Sequence, residues 1–197
     1  MIESDRYDKL KELYGHTSSW TIWKKADSTP KSNTSDMSIF EDENICEKLN
    51  DKYVFVGLNG SSTHGIQEDK SWKNFHSAYR YQNDYKLRYA LCDTEFWGSY
   101  ITDIIKYYPE VDSSKVKKYL KNNPQVISEN IELFKDELNI LSDKKPILIA
   151  IGNDAYNILE KNLGEEYRIF KIMHYSNIIN KENYRKEVLS VLDNIDD

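Results

Sequence analysis

In the stretch KIMHYSN, residues 171–177, an apolar run stops abruptly at His174, Tyr175, Ser176 and Asn177. Polar groups arriving directly after an apolar run mark a buried strand that delivers them to a site at its end. The pattern recurs where YVFVGL runs into Asn59, Gly60, Ser61 and Ser62, and where SYITDII carries Asp103 near its end. These residue types have definite chemical uses. An asparagine is no strong base, but its amide can orient a water. A histidine can donate a hydrogen bond that strengthens as negative charge builds on its acceptor. An ionised aspartate only accepts, so it favours an amine over a carbonyl. Cys46 and Cys92 stand far apart, outside any CxxC or Cys/His cluster, and His174 has no partners at zinc-ligand spacing. No metal, cofactor or disulfide framework is therefore expected.

Elements that could position these groups are visible in the pattern around them. Four short apolar runs, 53–58, 99–105, 146–151 and 168–173, are β-branched or aromatic-rich and bounded by Gly, Asp or Pro, which predicts strands. Two are almost unbroken, as strands covered on both faces are. Helical spacing lies between and after them at 71–79, 84–92, 114–121, 124–141, 153–163 and 181–192. The alternation predicts an α/β fold, a three-layer α/β/α sandwich around a mainly parallel four-stranded sheet, with functional residues at the C-terminal strand ends. A single domain over 1–197 is expected, its first 50 residues forming a helical and loop extension packed on the 51–197 core. The polar loop ADSTPKSNTSDMS, 26–38, is expected to be mobile.

Net charge is −6, which argues against a nucleic-acid partner on its face. Between Trp72 and Lys121, however, nine Lys and Arg stand against six acids, with Tyr and Trp interleaved. That suits a surface that grips a phosphate backbone and stacks on bases; a solvated face over an aromatic core has the same composition. With no apolar run of about 18 residues, the expectation is a soluble, cytoplasmic protein without a membrane partner. A monomer is expected.

Taken together, GLNGS (57–61), YITDIIK (100–106), IAIGNDAYNIL (149–159) and HYS (174–176) resemble the uracil-DNA glycosylase superfamily. That family carries a Gly-x-(Asn/Asp/Glu)-Pro-x motif after its first strand, a YITNVVK-type second strand, a Gly-x-x-Ala helix start after its third, and His-Pro-Ser after its fourth. The likeness spans 53–178, with the four motifs in order on the matching elements. Gly60 and Tyr175 replace the family's prolines and Asp103 replaces an asparagine, which bears on substrate more than on fold.

The resemblance implies hydrolysis of an N-glycosidic bond in DNA at a base flipped out of the stack. Asn59 would hold the water and His174 would stabilise the departing base. Gly57, Leu58, Phe75 and Asp103 would contact the base, with Phe75 as the stacking ring. Ser61, Ser62, Ser176 and Asn177 would touch DNA, Ile178 would act as an apolar wedge, and Lys115, Lys117, Lys118 and Lys121 would attract the backbone. His64 and His76 could contact phosphate or be ordinary surface residues. Plain alternatives stand beside these roles: Asn59 as a turn residue, Phe75 as core, Asp103 as a capping or salt-bridged acid, and 176–178 as a simple connection. Acceptor-only Asp103 favours an amino-bearing base, and a modified cytosine, as in hydroxymethylated or glucosylated phage DNA, is the coherent target. That implies an anti-phage role. Repair of uracil or a deaminated base, and a binding module that has lost catalysis, are the alternatives.

Overall fold

A computed structural model describes residues 1–60 and 70–195. Five strands form one sheet in the order β1-β3-β2-β4-β5: β1 (Ser18–Trp20), β2 (Asn50–Asn59), β3 (Ser99–Ile105), β4 (Ile147–Ile151) and β5 (Ile169–Ile172). The last four run parallel, and β1 pairs antiparallel with β3 through Ser18↔Thr102 and Trp20↔Tyr100. The sheet is thus five-stranded and mixed, not four-stranded. At three residues, two of them serines, β1 is too short and too polar to show a strand pattern.

Helices cover both faces, so the α/β class stands. On one, α1 (Ser4–Tyr14), α3 (Ser113–Asn122), α4 (Pro124–Leu141) and α5 (Asn153–Leu163) pack on Val54, Val56, Tyr100, Ile104, Leu148 and Ala150. On the other, α2 (Asp84–Leu91) and α6 (Lys181–Leu192) pack on Tyr53, Phe55, Ile101, Ile149, Ile151 and Ile172. The period of two along each strand allots these residues to opposite faces. Among the described residues, no helix is long and apolar enough to cross a membrane.

Two expectations change. No helix forms over 71–79, because Trp72 (φ 63°) and Phe75 (φ 65°) adopt left-handed backbone that a right-handed helix cannot contain. The segment is tied instead to the N-terminal region. Ser19 Oγ donates to Trp72 O (2.8 Å), Trp72 Nε1 to Tyr7 Oη (2.9 Å), and Trp23 Nε1 to Phe75 O (3.1 Å). The loop expected to be mobile is held by Arg88, whose guanidinium donates to the carbonyls of Lys24, Pro30 and Ser32 at 2.8–2.9 Å. Those carbonyls also satisfy a buried cation that has no carboxylate partner among the described residues.

Candidate functional site

Because β2 to β5 are parallel, their C-terminal ends share one edge, where Asn59, Asp103, Gly152 and His174 lie. Gly57 and Asp103 are register partners, so their substituents leave the same face of the sheet. The Asp103 carboxyl stands where a side chain on residue 57 would be: a Cβ at Gly57 would overlap Asp103 Oδ1 and come within 3.4 Å of Phe75 Cε1. Only glycine fits there. Gly60 approaches the other oxygen, its Cβ position lying 3.9 Å from Oδ2. Gly57, Gly60, Phe75 and Asp103 therefore form one cluster.

Asp103 is 3% exposed. Burial raises its pKa to about 7, against the opposing pull of the Asn74 amide and the Lys106 cation. Asn74 Nδ2 donates to Oδ2 at 2.9 Å and also to Thr17 O at 2.8 Å, fixing the carboxyl plane from the side. Close to neutral pH the group is thus divided between its ionised form and a neutral acid with one donor and one acceptor. This differs from an acceptor-only carboxylate. Phe75, also buried, keeps its left-handed backbone beside Asp103, a conformation costing about 1–3 kcal/mol that surrounding contacts must hold.

Three residues join this cluster that the sequence pattern did not single out. Asn74 is one. Asp84, the first residue of α2, is buried, accepts from Ser77 N at 2.7 Å, and has its pKa raised by burial to about 6. The Tyr175 hydroxyl has its pKa raised well above the ordinary value, first by burial and then by the Asp84 and Asp103 carboxylates. The end of β5 therefore lies within electrostatic range of the buried acids. Tyr175 sat in the very stretch that marked His174, and its aromatic type at a strand end was the available signal. Asn74 and Asp84 gave none, because their placement depends on an irregular backbone.

His174 is half-buried, and burial lowers its pKa, so the ring is neutral near pH 7. Ser176 N donates to Nδ1 at 3.1 Å, which leaves the ring proton on Nε2 as a donor. The ring stacks on Tyr175 at 4.5 Å between centroids and packs on Gly152, whose Cβ position is 3.3 Å from His174 Cβ. Asn59 Nδ2 is committed to the carbonyls of Gly60 (3.2 Å), Tyr108 (3.1 Å) and Glu110 (2.9 Å). Its amide nitrogen thus ties β2 to the 108–110 segment, leaving Oδ1 as the group able to hold a water.

Ser176, Asn177 and Ile178 are exposed, with Ile178 projecting fully into solvent. The turn beneath is fixed by Asn177 N to His174 O (3.1 Å) and by Lys86 Nζ to Asn177 O (2.9 Å). Leu58, by contrast, leaves the opposite face of the sheet from Gly57 and is not brought to the Asp103 cluster, a consequence of strand alternation. It lines a groove of about 360 Å³ with Lys117, Lys121, Ile127 and Ile158. Lys115, Lys117, Lys118 and Lys121 are exposed along α3, where Lys115 pairs with Glu110 (3.6 Å) and Lys117 with Asp154 (3.0 Å). His76 is buried against Trp23 and Phe40 with its pKa lowered to about 3, so it is no phosphate contact. Ser61, Ser62 and His64 lie outside the described residues. Among the described residues no group of three or more His, Cys, Asp and Glu could hold a metal ion. Comparison with known proteins found no matching family model, curated protein or solved structure.

Proposed function

We propose that the chain is a monofunctional DNA glycosylase of the uracil-DNA glycosylase type, acting on a flipped, amino-bearing pyrimidine such as a modified cytosine. The observation that carries this is the buried Asp103 carboxyl, held by Asn74 against Gly57 beside the Phe75 ring at the strand edge that also bears His174. A carboxyl beside an aromatic ring is what the Watson–Crick edge of a stacked base requires. As a neutral acid it donates to N3 of cytosine and accepts from N4–H₂; when ionised it accepts from N4–H₂ alone.

In this reading a water held by Asn59 Oδ1 attacks C1′ of the sugar. The C1′–N bond breaks, its electron pair leaves with the base, and Nε2–H of His174 donates to the base oxygen where that charge collects. The water supplies hydroxyl to the sugar and, in net terms, its proton to the base. Unmodified cytosine is excluded as a target because its removal would destroy the host genome. Uracil is the second reading, favoured by the same carboxyl: its neutral form can donate to O4 and accept from N3–H.

Abasic-site formation on single-stranded and duplex DNA carrying uracil, hypoxanthine, hydroxymethylcytosine or its glucosylated form tests the proposal. Release from the cytosine derivatives is expected. Release from uracil alone selects the second reading, and release from none rejects glycosylase activity.

A further inference from the structure

Beyond the base pocket, the segment that walls it carries a second feature on its outer side. Between the buried His76 and the buried Asp84, which accepts from Ser77 N, the chain makes an excursion into solvent at 78–81. At its tip Tyr79 and Tyr81 are 64% and 73% exposed, among the largest exposures of any apolar or aromatic side chain described. Such exposure of two aromatic rings costs hydration free energy unless something covers them.

The tip is also built. Gln82 N donates to Tyr79 O at 3.0 Å to close a turn, and Tyr79 N donates to Ser77 Oγ at 3.1 Å. Lys31 Nζ reaches from the neighbouring loop to the carbonyls of Arg80 (2.7 Å) and Gln82 (2.8 Å). The rings meet edge to face at 5.8 Å, and the Arg80 guanidinium lies 5.6 Å from the centre of the Tyr81 ring. The rings are thus presented in a fixed arrangement, which reduces the ordering cost of binding. Charge points to the partner: residues 70–84 contain Lys70, Lys73 and Arg80 against one acid, the buried Asp84. Paired exposed aromatics in a basic stretch fit unpaired bases on a phosphate backbone.

We propose that Tyr79 and Tyr81 form a stacking platform for unpaired nucleotides beside the flipped base, so that the protein engages single-stranded DNA in preference to duplex. This rests on the nucleic-acid reading given above. Tyr79 is five positions beyond Asn74, a reach of at most about 18 Å, so bases on the platform belong to the same strand segment as a base at Asp103.

The test is fluorescence anisotropy with a labelled oligothymidylate of about 12 nucleotides and a matched duplex, neither carrying a target base. The wild-type protein is expected to bind the single strand roughly tenfold or more tightly than the duplex. Y79A/Y81A should weaken single-strand binding about 10- to 100-fold while changing duplex binding less than about threefold, and Y79F/Y81F should retain it. Both positions are exposed, and an unchanged melting temperature verifies folding. An unaffected single-strand affinity in the alanine variant, equal loss on both substrates, or a wild-type preference for duplex overturns the platform. In each case the glycosylase reading is judged separately by abasic-site formation on modified single-stranded and duplex DNA. Failure of the wild-type protein to bind either DNA also overturns the platform.

Discussion

At the scale of single residues, Asp103 and His174 are both held in their neutral forms more than their types suggest. For Asp103 burial raises the pKa from 3.8 to about 7. The unfolded chain releases this proton near the ordinary value while the folded chain keeps it, so Asp103 costs stability progressively as pH rises from about 4 to about 7. D103N removes that dependence. Thermal or urea unfolding should show the variant gaining about 2 kcal/mol on the wild type between pH 5 and pH 8. A constant difference would mean that Asp103 is not buried as a neutral acid. For His174 the proposed role is donation from Nε2–H, and H174A should reduce single-turnover base release roughly 10²- to 10³-fold. Near-wild-type release would remove the imidazole from the mechanism. Asp103 and His174 were legible in sequence as polar residues within or just beyond an apolar run. Asn74 was not, since it is flanked by the left-handed backbone at Trp72 and Phe75, and Asp84 was not, since an acid at a helix start reads as an ordinary exposed residue.

At the scale of elements, β3 and α4 are joined by a buried ion pair that also supports the site. Lys106 Nζ lies 2.6 Å from Glu137 Oε2, both side chains being fully buried, and donates to Thr102 Oγ1 (2.8 Å) and Asp103 O (3.0 Å). Tyr100 Oη (2.8 Å) and Thr102 Oγ1 (2.9 Å) donate to Glu137 Oε1. Removing one partner leaves the other charge buried alone, which costs about 3–5 kcal/mol. E137L should therefore lower stability by that amount, and K106M/E137L should recover most of it, as read by urea unfolding. Equal loss in the single and double variants would show that the charges do not depend on each other. The helical period of α4 was plain in sequence, but its buried Glu137 was not, because an acid within an amphipathic repeat reads as solvent-facing. Segment 71–79 failed as a helix for the opposite reason: its apolar spacing was right, and tertiary hydrogen bonds to Tyr7, Ser19 and Trp23 decided the backbone.

At the scale of the whole molecule, the parallel sheet was legible because strands 53–58 and 146–151 are nearly unbroken apolar runs between helical repeats. Its antiparallel edge was not, since β1 gains its strand conformation from pairing with β3 rather than from its own residues. Parallel order places the strand ends along one edge, which makes a shared site at Asn59, Asp103 and His174 geometrically available. If the proposed DNA substrate is right, a net charge of −6 leaves its attraction to local surfaces such as α3 and the 70–83 segment. The most direct test of the account is the ratio of single-turnover rates on hydroxymethylcytosine and uracil in otherwise identical DNA, for the wild type and D103N. If Asp103 reads the base, the wild type prefers the cytosine derivative and D103N shifts the ratio roughly tenfold or more towards uracil, the worth of one mismatched hydrogen bond. A ratio unmoved in a folded variant, or no base released from either substrate by the wild-type protein, would contradict it.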